Sequence, residues 1–298
     1  MVGCNCNAGL SNTGRPGCVP LQSVSSKLIQ VPLMANDGTE NYIDLTTTLP
    51  TWSNLVNQSD ASKRWFPLPS FENVEMPKAD SQFEEANSGR MAFLRQGKRS
   101  FAGELWADDS TPTFLGKLQA GRCVEFGVYV VDVNGNLIGS KVGTKLYPIP
   151  VDNQSWDPKW MPATDSTVQK IMLGFDFNRL FDESTMYMIT AAEAGIDFNS
   201  LSGLIDINVL NESINATDIT FDAKLDYGTA LNPILAQGLV TADFTLLNKT
   251  TSSTVTVTAV ENAPGNYTLT YVAQTTGDVA ELTIAKPGYL GTFTYAFA

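Results

Sequence analysis

Hydrophobic and polar residues alternate along most of this chain with the period of two that is typical of β-strands. The segment 99–143 shows the pattern most clearly. Its sequence predicts one strand at Ser100–Trp106 and a second at Cys123–Val131, and the Asn134-Gly135 dipeptide predicts a tight turn into a returning strand. This part of the chain therefore reads as strand, helix and hairpin.

The helix is predicted between those two strands. Thr111 is a good N-cap, and Pro112 fits the first helical position, where its missing N–H costs nothing. Apolar residues then share one face as far as Leu118, and Gly121 is a plausible C-cap. Because the flanking segments are all β-like, we expect this to be the only substantial helix of its domain.

Other segments of the first two thirds of the chain also predict strands. Lys27–Leu33 is strand-like, and Pro32 would restrict it to a sheet edge. Thr167–Phe177 alternates regularly, and Met186–Ile189 is a shorter candidate. We divide the chain into a flexible N-terminal arm at 1–24, a β domain at 25–195 and a second β domain at 196–298.

The second β domain differs in composition, because arginine is absent after residue 203 and Thr, Val and Ala dominate. About seven alternating segments in about 100 residues, separated by turn signals, are typical of an immunoglobulin-like sandwich. The Cys–Trp–Cys core of antibody domains is absent. Segments such as Pro264–Thr270 resemble the Ig-like modules appended to bacterial and phage surface and virion proteins.

Composition restricts the functions that the chain can have. The 298 residues carry a net charge of −12 and no histidine. Such a chain does not bind duplex DNA by neutralising phosphates, and it lacks the commonest general base and metal ligand. Catalysis is therefore disfavoured, and we expect a protein that is not an enzyme and uses no cofactor. Neither a membrane-spanning segment nor an ordinary secretory signal is evident.

Three of the four cysteines, Cys4, Cys6 and Cys18, lie close together at the N-terminus. They could form a small metal clip or disulfides between subunits, or they could be unpaired thiols on a mobile arm. Their spacing matches no standard zinc pattern, and Cys123 would have to be a remote fourth ligand. They are thus weak metal candidates, and we expect no metal.

Acidic residues offer two further candidates for chemistry. Glu84 and Glu85 could act as a carboxylate pair, but a solvated edge or a subunit contact explains them more simply. The segment beginning at Asp132 loosely resembles a calcium loop but lacks the required glutamate, so a turn is the better interpretation. No P-loop, nucleophile elbow, HExxH motif or dinucleotide fingerprint is present.

The order of these elements resembles a known family. Phe83-Glu84-Glu85, the segment Phe93–Glu104, the short helix from Thr111 and the strand Val124–Asp132 with its hairpin resemble the tail tube (major tail) proteins of tailed bacteriophages. The resemblance covers roughly residues 25–190. It implies a β-sandwich or barrel with one flanking helix, followed here by an Ig-like domain on the outside.

The resemblance also implies a function. Members of that family form rings, usually hexameric, that stack into a hollow tube through which DNA passes without specific binding. The expected partners are further copies of the chain and other tail or connector proteins, and the expected location is the virion, assembled in the host cytoplasm. Residues expected at subunit contacts form two groups. They are Glu84, Glu85, Arg90, Arg95, Lys98 and Arg99 in one segment, and Asp132, Asn134 and Gly135 in the hairpin.

Two other interpretations remain open. The chain could be a virion decoration, head-fibre or collar-ring protein, or a surface adhesin that binds host glycans through the Ig-like domain. A carbohydrate-active enzyme with an accessory sandwich is the weakest alternative, because it needs a cleft with paired carboxylates.

Overall fold

The computed structural model describes residues 14, 19, 21–47, 49–229 and 231–298. Strands account for 48% and helices for 13%, and the sheets form a half-barrel and a nearly closed barrel. The prediction of a mainly β protein is therefore confirmed. Most of the predicted N-terminal arm, including Cys4, Cys6 and Cys18, lies outside the described residues.

Residues 21–204 are here called the first half, and their described positions form fourteen strands, three α-helices and five short 3₁₀ helices. The named helices below are the α-helices. The helices are α1 (Trp52–Val56), α2 (Pro112–Ala120) and α3 (Ala191–Ala194). The strands are β1 (Ser25–Pro32), β2 (Ile43–Asp44), β3 (Phe66–Pro67), β4 (Glu72–Glu75), β5 (Gln82–Glu85), β6 (Met91–Arg95), β7 (Ser100–Trp106), β8 (Phe126–Asp132), β9 (Leu137–Val142), β10 (Lys145–Tyr147), β11 (Ile149–Pro150), β12 (Asp157–Met161), β13 (Lys170–Asp176) and β14 (Met186–Ile189).

These strands form two larger sheets and one separate hairpin. The eight-stranded sheet has the order β2-β10-β9-β8-β1-β3, with β11 beside β8 and β14 beside β9. The four-stranded sheet has the order β12-β13-β7-β4, and β5 pairs only with β6. The prediction that Pro32 places its strand at an edge is wrong, because β1 pairs with both β8 and β3. Pro32 is tolerated because it is the last residue of β1, beyond the two residues that pair with β3.

Both faces of the eight-stranded sheet are buried, and β8 shows how. Val128 and Val130 face the core that is shared with the four-stranded sheet and α2. Tyr129 and Val131 face a second core on the other side, which α1 and the segment 194–204 help to cover. Because every residue of β8 is buried, its sequence from Phe126 to Val131 is apolar on both faces rather than alternating, and only its last residue, Asp132, is charged.

Helix α2 begins and ends where the sequence predicts. The Thr111 side chain accepts a hydrogen bond from the backbone N–H of Phe114 at 3.3 Å, and Pro112 is the first helical residue. Gly121 is the C-cap. It is the longest helix among the described residues. The Trp156 indole donates to the carbonyl of Leu118 at 2.7 Å, which fixes α2 beside the start of β12.

The segment 191–204 closes the first half. Phe198 and Leu201 are buried in the second core, and the buried Lys27 ammonium donates to the carbonyls of Asn199 and Leu201. Burial lowers the pKa of this ammonium. The sequence assigned residues 196–204 to the second domain, whereas these residues pack against the first half.

Residues 205–298, here called the second half, contain nine strands in an Ig-like arrangement. The strands are β15 (Ile205–Ile214), β16 (Asp218–Gly228), β17 (Pro233–Leu235), β18 (Phe244–Asn248), β19 (Ser253–Val255), β20 (Val257–Ala263), β21 (Asn266–Tyr271), β22 (Val279–Lys286) and β23 (Tyr289–Ala296). All nine strands are linked in the order β19-β18-β22-β23-β15-β16-β21-β20, with β17 beside β16, so that one sheet, β15-β16-β21-β20, is continuous with the other, β19-β18-β22-β23. This is the distribution of strands of an immunoglobulin-like sandwich, and a parallel pairing of β15 with β23 joins the sheets.

The two halves meet at helix α2. The Lys117 ammonium lies 2.6 Å from a carboxylate oxygen of Asp206 and 2.7 Å from one of Asp226, and 5.5 Å from the centre of the Tyr227 ring. Although burial disfavours the charge, the two carboxylates outweigh it and raise the pKa of Lys117. One lysine of the first half thus joins two strands of the second.

Candidate assembly surface

The most exposed element of the first half is the segment 79–98, here called the projecting hairpin. Its strands β5 and β6 are exposed along their whole length and pair only with each other. At its base, Ala79 donates to the carbonyl of Lys98 at 2.8 Å, and Ser100 donates to that of Pro77 at 2.9 Å. The projecting hairpin therefore continues the ladder of β4 and β7 beyond the body of the protein.

Ion pairs anchor this base. Arg99 Nε lies 2.7 Å from Glu183 Oε1, and Lys78 Nζ lies 2.7 Å from Glu183 Oε2. The hydrogen bond from Arg99, assisted by that from Lys78, holds the pKa of Glu183 below its usual value despite partial burial. Lys98 pairs with Asp176 at 2.7 Å. The predicted interface residues Lys98 and Arg99 thus hold the hairpin to the body.

One face of the projecting hairpin is apolar. Phe83 and Phe93 are cross-strand partners with ring centres 5.7 Å apart, and both remain more than half exposed. Met91 lies two residues from Phe93 on the same face and is 62% exposed. Leu94, which has no partner across the strand pair, is 55% exposed. An exposed apolar face of this size is typical of an interaction surface.

The predicted charged residues are also on the projecting hairpin, and one of them, Glu85, lies opposite Met91 on the same face. Glu84, Glu85 and Arg90 are exposed, and none of them forms a salt bridge among the described residues. Arg95 donates to the side-chain oxygen of Gln82 at 2.6 Å across the strands. The sequence identified these charges but missed the apolar face, because only Phe83 alternates with polar neighbours whereas Phe93 lies between Ala92 and Leu94.

The second group of predicted interface residues lies elsewhere and is largely buried. Asp132 is fully buried, and its carboxylate accepts hydrogen bonds of 2.9 to 3.0 Å from the backbone N–H groups of Ser23, Asn134 and Asn136 and from the Asn136 amide. Gly135 is buried against Asp197, whereas Asn134 is exposed. Asp132 and Gly135 therefore hold this turn inside the molecule.

The pKa of Asp132 reflects that environment. Burial alone would raise the pKa of its carboxyl, but the N–H donors outweigh burial and lower it. The side chain is thus an anion whose hydrogen bonds are supplied within the chain. A calcium ion would have to displace these donors, which supports the interpretation of this loop as a turn.

The four-stranded sheet presents two unpaired edges. β12 and β4 are its terminal strands, and no backbone hydrogen bond joins the outer edge of either to another described segment. On its outer face, Trp106, Met161 and Met172 are each about 40% exposed. Between them Lys170 pairs with Glu104 at 2.6 Å, a contact that lowers the pKa of Glu104. The sequence analysis predicted the alternation of Thr167–Phe177 but did not identify this face as exposed.

Two searches of the part of the chain that the structure describes, for grouped metal ligands and for membrane-spanning helices, find none. No three His, Cys, Asp or Glu side chains there are grouped so as to hold a metal ion. None of the helices in those residues is long and apolar enough to cross a bilayer. Comparison with protein-family models finds no match, and comparison with curated proteins finds no significant relative.

Proposed function

We propose that this chain is a structural protein of a phage virion, the subunit of a tail tube that self-assembles into stacked rings around a DNA conduit. The observation that carries the proposal is the combination of a projecting hairpin with a sheet that is open at both edges. These features supply two different contacts, one that points away from the body and one that extends a sheet.

The open edges favour a ring. If β12 of one copy pairs with β4 of the next, the contact joins two different surfaces, and repeating it with a constant rotation closes a cycle. Such pairing also protects edge strands that would otherwise promote aggregation. Repetition around the ring produces a continuous twisted sheet, which encloses a channel when enough strands take part.

The projecting hairpin favours stacking. It extends about ten residues from its base to its tip, which corresponds to about 30 Å at the rise of a β-strand. That length is sufficient to reach a copy in the neighbouring ring. Of the two groups of predicted contact residues, the one at Asn134-Gly135 lies in a largely buried turn, so we assign the stacking contact to the segment 79–98.

Charge is consistent with a conduit. The chain has a net charge of −12, and an acidic assembly repels the phosphate backbone instead of holding it. The Ig-like second half, joined to the first at Lys117, would lie on the outside.

Electron microscopy of the full-length purified chain, combined with light scattering over a range of concentrations, tests the proposal. Stacked rings or hollow tubes are the expected result. Single rings that never stack would indicate a collar or connector protein instead. A chain that stays monomeric at all concentrations would contradict self-assembly and favour a decoration protein or adhesin that needs a preformed partner surface.

A further inference from the structure

The first half carries an apolar groove whose occupant the proposed function does not identify. The groove has a volume of about 660 Å³ and lies between the end of β1, the end of α2 and the start of β8. Its apolar lining includes Val31, Pro32, Phe66, Val124 and Phe126, and the exposed Cys123 lies among them. A groove of this size accommodates several large side chains.

The apolar side chains of the projecting hairpin are uncovered, and this groove is a surface that could cover them. A two-stranded hairpin alone is only marginally stable in water, and this one exposes Phe83, Met91, Phe93 and Leu94 without a covering element. The rest of the same molecule does not cover this face. Burying the three that share a face, Phe83, Met91 and Phe93, in a second molecule would remove apolar surface from water on both partners.

The unpaired charges of the two surfaces include one pair of opposite sign, although Glu85 on the hairpin has the same sign as Glu125. Arg90 lies at the tip of the projecting hairpin, and Glu125 lies on the wall of the groove. Neither forms a salt bridge among the described residues. Opposite charges beside an apolar contact guide association and fix its orientation.

We propose that the apolar face of the projecting hairpin of one copy docks in the Cys123 groove of another copy, with Arg90 beside Glu125. The inference rests on the proposed function, because it identifies the receptor for the stacking contact. Since hairpin and groove are different surfaces, the contact is head-to-tail and repeats from ring to ring.

The native thiol of Cys123 allows a direct test. In a full-length chain with Cys4, Cys6 and Cys18 replaced by serine, Phe93→Cys places a second thiol on the apolar face. A short bis-maleimide should then link position 93 of one copy to Cys123 of another, as identified by mass spectrometry of the linked peptides. The matched control is Glu84→Cys, on the opposite face of the hairpin, which should link at least several-fold less.

Charge reversal gives an independent measurement on the full-length chain. Arg90→Glu and Glu125→Arg should each raise the concentration needed for assembly by a factor on the order of three to ten, equivalent to about 1 kcal/mol. The double variant should restore much of the loss, which a merely structural role of either residue would not produce.

The outcomes separate this inference from the proposed function. Tubes that form without a 93–123 link, or with equal linking in the Glu84→Cys control, would overturn the docking site and leave the tube intact. A link to thiols introduced by Tyr147→Cys or Leu180→Cys, in the neighbouring cleft, would place the hairpin there and overturn the site in the same way. If the unmodified chain forms no assembly, both proposals fail together.

Discussion

The chemistry of single residues separates the two groups of predicted contact residues. Asp132 and Arg90 are both charged residues near a β-turn, and nothing in their immediate neighbours distinguishes them. Asp132 is surrounded by donors from Ser23 and Asn136, whereas Arg90 is exposed. The difference arises because Asp197 and Asn199, more than sixty residues along the chain, cover the Asn134-Gly135 turn. A local pattern predicts the turn but not its burial.

Replacing the Asp132 carboxylate tests its role inside the molecule. Asp132→Asn retains the size of the side chain but loses the charge. It also places an amide N–H₂, which is itself a donor, next to N–H groups that need an acceptor. We expect the free energy of unfolding at pH 7 to fall by about 2 kcal/mol, the usual scale for buried hydrogen bonds to a charged group. Urea unfolding followed by tryptophan fluorescence measures the change.

The pH dependence of the same variant provides a sharper criterion. Because the folded-state pKa of Asp132 is lowered, its contribution is complete above the ordinary value of about 3.9 and is lost as the pH falls through the folded-state pKa. The gap between wild type and Asp132→Asn should therefore narrow in acid. Asp165→Asn, at an exposed position, serves as the control and should change stability little. If the difference in stability between wild type and Asp132→Asn did not depend on pH, the interpretation of Asp132 as a hydrogen-bonded anion would be contradicted.

At the scale of elements, the sequence predicted most strands and the one sizeable helix. Alternation was sufficient for strands such as β13 and β21, which bury one face, and capping residues were sufficient for α2. The order of the strands within the sheets was harder to predict from the sequence, as β1 shows. Pro32 suggested an edge, but pairing depends on which distant strands approach, and the sequence of β1 does not contain that information. The free edges of β12 and β4 were missed for the same reason.

Gly97 controls whether the projecting hairpin can continue from the body. A Cβ at this position would overlap the carbonyl oxygen of Ala79, the residue opposite at the base. We expect Gly97→Ala to disrupt the base while the cores stay folded, so that amides of residues 82–95 exchange faster and those of β8 remain protected. Hydrogen exchange measured by mass spectrometry reports both regions in one experiment.

Gly174→Ala, in strand β13, is the matched control for that variant. A Cβ there meets only the carbonyl oxygen of Phe101 at an ordinary 3.8 Å, so exchange of the hairpin should not change. The variant Gly97→Ala should also assemble less well than this control. Unchanged hairpin exchange in Gly97→Ala would show that the base tolerates the overlap.

At the scale of the whole molecule, the two halves are separate folds joined at a small number of contacts. Lys117 with Asp206 and Asp226 is the main polar contact, and Asn57 accepts a hydrogen bond from Gly288 at 3.2 Å. The sequence predicted the Ig-like second half from its strand spacing. It could not place the junction, because Lys117 lies about ninety residues before its partners.

Removing the Lys117 contact should uncouple the halves. All five tryptophans lie in the first half, so their fluorescence follows that half alone, whereas far-ultraviolet circular dichroism follows both. We expect Lys117→Met to separate the two unfolding curves, since a partly exposed network of this kind contributes about 1 kcal/mol. The control is Lys63→Met, which breaks a surface pair with Asp37 within the first half. Curves that separate equally in both variants would exclude a specific role for Lys117.

The closing segment 191–204 has a consequence for the order of events during synthesis. Strand β1, which lies next to the terminal strand β3, needs Asn199 and Leu201 to accept the hydrogen bonds of its Lys27, and one of the two cores needs Phe198. The first half therefore cannot complete its core until residue 204 has left the ribosome, by which time more than two thirds of the chain has been made. Until then the nascent chain has the projecting hairpin but not the folded first half that holds it. Newly made copies therefore become competent to associate only late in translation.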